Sequence, residues 1–100
     1  MVETELATVK RLLHKLRVPQ HLYGYCYLCV VIPRFEVGTP LRDLYEKVAQ
    51  AHHVKWRNVE RGIARALDQS DAQGRRPQLV IAELKEQFES EREAMKLGTN

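Results

Sequence analysis

LYEKVAQAHHVKWRNVERGIARAL, residues 44–67, reads as two short helices joined by a tight turn, and the second helix has two unlike faces. With a step of about 100° per residue and Arg57 at zero, Glu60, Ala64, Arg57, Asp68, Arg61, Arg65 and Asn58 share one arc. Trp56, Val59, Gly62, Ile63, Ala66 and Leu67 share the other. An apolar back with three arginines and an asparagine in front suits the major groove of DNA. Arginine can donate twice to a guanine edge, and asparagine can bond both ways to adenine. The first expectation is therefore sequence-specific DNA binding by the helix at 56–67, with the helix-turn-helix pair at about 39–69.

The rest of the chain supplies a scaffold. Leu6, Val9, Leu13 and Leu16 recur at helical spacing and predict an amphipathic helix from Glu3 to Arg17. Pro19 is expected in the first turn of a second helix. The segment from Gln20 to Ile32 is apolar nearly all round, so its periodicity fits a buried strand or a buried helix, and its length favours the helix. Gly24 inside it costs about 1 kcal/mol relative to alanine in a helix, which points to close approach by another helix. Pro33 is expected to stop the segment. Thr39 and Pro40 predict an N-cap and first helical position for the first motif helix, which should bury Leu41, Leu44, Tyr45 and Val48. Gly74 and Pro77 mark a loop over 70–77. A last helix over about 78–97 carries Ile81, Leu84, Phe88 and Met95 on one side, with Gly98 to end it. The fold class expected is all-α: one domain over 1–100, a bundle of about five helices.

Charge follows the same division. The net charge is +3 and the pI about 9.0. Residues 52–76 hold six Lys/Arg against three Asp/Glu, while residues 77–100 hold three against five. A basic motif with a basic C-terminal flank is what a phosphate surface requires. The longest apolar run, Leu22 to Ile32, has eleven residues, against about 20 for a membrane span. With no targeting signal at the N-terminus, the reading is cytoplasmic and nucleoid-associated, without membrane contact.

Cys26 and Cys29 have the spacing of half a zinc site or a dithiol centre. His14, His21, His52 and His53 do not complete a finger-like set, so the cysteines are expected in the core. No metal or other cofactor is expected. No Gly-rich phosphate loop or nucleophile constellation suggests an enzyme. Tyr23, Tyr25 and Tyr27 are read as core and interface residues, and Trp56 as packing between the motif helices. Lys55, Arg75 and Arg76 are candidate contacts to the DNA backbone. Glu60 could accept from a cytosine amino group or orient an arginine. The acidic last helix offers the alternative function, a protein-interaction module that modulates a regulator or RNA polymerase.

Three stretches carry a resemblance. LLHKLRVPQHLYGYCYL (12–28), VGTPLRDLYEKVAQAHH (37–53) and RNVERGIARAL (57–67) together are similar to the C-terminal DNA-binding domain family of stage-zero sporulation protein A, the response regulator that starts endospore formation. The signature set is Val18-Pro19, Gly24-Tyr25-x-Tyr27-Leu28 and Val59-Glu60-Arg61-x-Ile63. The resemblance implies a helix-turn-helix transcription factor whose second motif helix reads a TGTCGAA-like box. It also implies self-association, as domains sit head to tail on tandem boxes. Carried over by position, the base contacts fall on Arg57, Asn58, Glu60, Arg61 and Arg65. Asn58 stands where the family has arginine, Arg57 where it has a small polar residue, and Arg65 where histidine is common. The family's receiver domain has no counterpart here, so control by its phosphorylation is not expected within this chain.

Overall fold

In the computed structural model, which describes residues 4–98, the chain forms five helices: α1 Glu5–Lys15, α2 Tyr23–Arg34, α3 Leu41–His52, α4 Trp56–Asp68 and α5 Pro77–Gly98. The apolar segment resolves to helix. α2 is central and packs against each of the other four. Leu28, Val31 and Ile32 of α2 are wholly buried, and the core around them includes Leu13, Val59, Ile63, Leu67 and Ile81. A helix that is apolar nearly all round is stable only when enclosed in this way.

Gly24 explains how α2 and α4 come so close. A Cβ added there would overlap the carbonyl oxygen of Gly62 and sit 2.7 Å from the Ala66 Cβ. The expected close approach is therefore met, and the second glycine at the crossing is Gly62, over which lies the Tyr27 ring. At the other end of α2, Lys85 Nζ of α5 donates to the Pro33 carbonyl at 2.6 Å. This satisfies one of the acceptors a helix C-terminus leaves open.

Several end signals differ from expectation. The first residues of the expected α1, up to Glu3, lie outside the described ones. α1 starts on Thr4, whose Oγ1 accepts from Ala7 N at 3.1 Å. Its buried face is Thr8, Val9, Leu12 and Leu13, while Leu6 in the first turn is 49 % exposed. Pro19 is not in a first helical turn: α2 begins at Tyr23, and Pro19 belongs to the turn before it. Pro33 does not stop α2 but lies inside its last turn, one residue before the end. Thr39 is not the N-cap of α3. Pro40 takes that place in extended backbone with no side-chain cap, and the helix starts one residue late, at Leu41. The one-residue shifts at Pro33 and Pro40 separate end signals from the hydrogen bonds that define an end.

Two helices end on left-handed residues that are not glycine. Arg17 (φ 63°) follows α1 and His53 (φ 56°) follows α3. Each is the pivot of a Schellman turn: Val18 N donates to Leu13 O and Val54 N donates to Ala49 O, both at 3.0 Å. Left-handed backbone costs a β-carbon-bearing residue about 1–2 kcal/mol. His53→Gly is therefore expected to stabilise the fold by about 0.5–1 kcal/mol, after the greater unfolded-chain freedom of glycine is counted. A rise in the urea midpoint checks this, and an unchanged or lower midpoint would mean that the His53 side chain itself supports the turn.

Candidate nucleic-acid interface

α4 turns its two arcs as its sequence dictates. Val59, Ile63, Ala66 and Leu67 are buried, while Arg57, Asn58, Glu60, Arg61, Arg65 and Asp68 are exposed. α3 and α2 hold its back, and α2 crosses at Gly62 and Ala66. The three-residue turn at 53–55 joins α3 to α4, and Lys55 takes the N-cap position with no side-chain hydrogen bond. No side chain at the N-cap therefore satisfies the first amide groups of α4, and the Asn58 amide donates instead to the Lys55 carbonyl at 2.9 Å.

The front residues are not independent. Arg61 Nη2 donates to Asn58 Oδ1 at 2.6 Å, so the two side chains sit as one unit near the centre of the face. Arg65 stands a turn further along. Glu60 leans toward α3, where burial pushes the Tyr45 hydroxyl up to about 12, and the nearby Glu60 carboxylate adds to that rise. Trp56 is partly buried against the core, as expected for a residue between the motif helices. Its ring carries two cations: the Arg42 guanidinium carbon lies 4.8 Å from the ring centroid, and that of Arg57 lies 5.5 Å away.

Arg42 is a residue of this face that sequence reading missed. It sits in the first turn of α3 and is fourteen positions from Trp56, a separation that no helical period reports. Its Nε donates to Glu46 Oε1 at 3.1 Å. The only local signal is a cation near the start of the first motif helix, a helix that crosses the DNA backbone in helix-turn-helix proteins.

The other basic candidates are placed differently. Lys55 adjoins the start of α4. Arg75 Nη2 donates to Glu83 Oε1 at 2.5 Å, and that hydrogen bond draws the Glu83 carboxyl below its usual range. Arg75 lines a groove of about 740 Å³ between α1 and α5 with Lys15, Leu16 and Glu83. Arg76 is exposed beside it. The loop bearing both is tied down, because Asp71 N donates to Leu16 O at 2.9 Å and Ala72 is buried. His52 is exposed and meets the Tyr27 ring edge-on, with centroids 5.3 Å apart.

The cysteines are not both in the core. Cys26 is exposed, and Cys29 is half-buried. α2 is enclosed by helices on most sides, and Cys26 and Tyr23 lie on the strip left open; Tyr23 is 79 % exposed, while Tyr25 and Tyr27 are buried as expected. Burial, with Cys26 close by, pushes the Cys29 thiol up to about 11, so it holds little thiolate at neutral pH. Modification by a disulfide reagent at pH 7 should consume one equivalent quickly, at Cys26, and reach Cys29 only as the protein unfolds. Equal rates at both thiols would contradict this placement. No group of three or more potential metal ligands occurs among the described residues. No helix there is long and apolar enough to cross a membrane.

The family model described as sporulation initiation factor Spo0A C terminal covers residues 9–96. No curated protein and no solved structure matches the chain.

Proposed function

The chain belongs to the sporulation initiation factor Spo0A C-terminal family, a family of DNA-binding effector domains, and from that premise we propose that it binds double-stranded DNA sequence-specifically with α4 in the major groove. The observation that carries the reading is the division of α4 between a back locked onto α2 and α3 and an exposed front of Asn58, Arg61 and Arg65. An α-helix fits the major groove, and those side chains match the donor and acceptor patterns of guanine and adenine there. Glu60 would accept from a cytosine amino group at the α3 edge of the face. Lys55, at the head of α4, and Arg75 and Arg76, in the loop after it, would meet phosphates and set the register.

The activity follows from occupancy: a protein that holds a promoter site blocks or recruits the transcription machinery. Two copies on tandem sites and a contact with RNA polymerase are compatible extensions of this reading. Selection of binding sites from random duplex DNA tests it. The expected outcome is a short box with position-specific preferences, whose repeat pattern reports whether copies bind singly or in tandem. A recovered pool no different from the input would overturn the proposal.

A further inference from the structure

We propose that Trp56 organises a two-arginine clamp, Arg42 from α3 and Arg57 from α4, that grips phosphates of one DNA strand. Arg57 would then position α4 rather than read a base. The inference rests on the DNA-binding reading and assigns part of that surface.

Two guanidiniums converge on one indole ring, at 4.8 and 5.5 Å from its centroid. Like charges drawn to one ring repel each other unless something anionic shares the site. Glu46 answers part of that charge, but it bonds Arg42 through Nε. The two terminal nitrogens of Arg42 have no partner among the described residues. A guanidinium stacked on an aromatic face keeps its N–H groups directed outward along its edge, in the fork that matches phosphate oxygens. Stacking also holds the long side chain in place, so less freedom is lost on binding.

The two arginines come from the two helices of the motif. The first such helix crosses the DNA backbone while the second enters the groove. A bridge between the start of α3 and the start of α4 therefore lies where a strand passes from one helix to the other. Arg61, by contrast, is held by Asn58 on the middle of the front. The face then divides by chemistry: the Asn58–Arg61 unit and Arg65 toward base edges, the Trp56 pair toward the sugar-phosphate wall.

The test uses Arg42→Gln and Arg57→Gln, both at exposed positions, with folding checked by circular dichroism. Each is titrated with labelled duplex, one carrying the selected box and one of random sequence, between about 50 and 200 mM salt. Removing one phosphate contact makes the log–log salt slope shallower by about 0.9 and weakens both duplexes alike. That result for both variants is expected. Trp56 is the sole tryptophan, so its fluorescence should also become less accessible to acrylamide when duplex is added to the wild-type chain. An unchanged slope for Arg42→Gln would overturn the clamp, as would loss of preference at one base position for Arg57→Gln or unchanged quenching of Trp56. If the wild-type chain binds neither duplex, the DNA-binding reading itself fails, and the clamp with it. Wild-type binding with an unaltered Arg42→Gln slope removes the clamp alone.

Discussion

Gly24→Ala is expected to lower the thermal midpoint by about 8–16 °C, the result of roughly 3 kcal/mol of overpacking less about 1 kcal/mol of gained helix propensity. The new Cβ would overlap the Gly62 carbonyl and press on the Ala66 Cβ. The first of these neighbours is backbone and cannot rotate away, so α2 and α4 must move apart. Leu28, Val59, Ile63 and Ala66 are buried at or beside this crossing and would lose contact together. Overpacking of this kind costs about 3 kcal/mol at the upper end of the usual range, and for a chain of this size each kcal/mol moves the midpoint by about 4–8 °C. The better helix propensity of alanine returns only about 1 kcal/mol. Gly62→Ala is the informative comparison. Its Cβ would lie 3.1 Å from Cε2 of the Tyr27 ring, and a side chain can yield by a few tenths of an ångström. A much smaller loss is expected there. Thermal unfolding of the two variants checks both, and equal losses would show that the crossing is looser than the glycine pair implies.

Arg61→Ala should have the largest effect on recognition. The guanidinium is exposed at the middle of the front and is already oriented by its bond to Asn58. An oriented arginine loses less freedom when it donates to a guanine edge. Its removal is expected to weaken the selected box by about 1–3 kcal/mol, roughly 5- to 150-fold, and to relax preference at one base position. Binding to random duplex should fall much less. Competition titrations against single-base variants of the box make the measurement. A uniform loss on all sequences would move Arg61 to the backbone and leave Arg65 and Asn58 as the readers.

How much of this was legible before folding depended on where the chain has an alternating pattern. α4 does: its apolar residues return every three or four positions, so the buried and open sides could be told apart and the structure keeps that division. α2 does not. With apolar side chains all round, its periodicity carries no information about which side is covered. Cys26 was expected inside and lies outside, whereas Gly24 betrayed its role because glycine inside a helix needs a reason. Helix ends were read from capping preferences, and Thr39, Pro19 and Pro33 each misled by a short distance. α3 ends on His53 in a left-handed turn, where glycine would have been the visible signal. The pairing of Arg42 with Trp56 was hidden for a different cause. Their meeting is set by the angle between two helices, and a linear pattern does not encode an angle.

The place of α2 among its neighbours bears on how the chain comes into being. During synthesis α1 to α4 emerge before α5, yet α2 is walled on one side by α5, through Val80, Ile81 and Leu84 of the buried core and through the bond from Lys85 to Pro33. Until α5 is made, the most apolar segment of the protein has an open flank. The helix-turn-helix pair can be complete in sequence and still lack the wall behind it. A nascent chain halted after Arg76 should therefore be the sticky, protease-sensitive form. α5, which contributes none of the proposed DNA contacts, is therefore expected to set when the proposed DNA-binding surface becomes rigid.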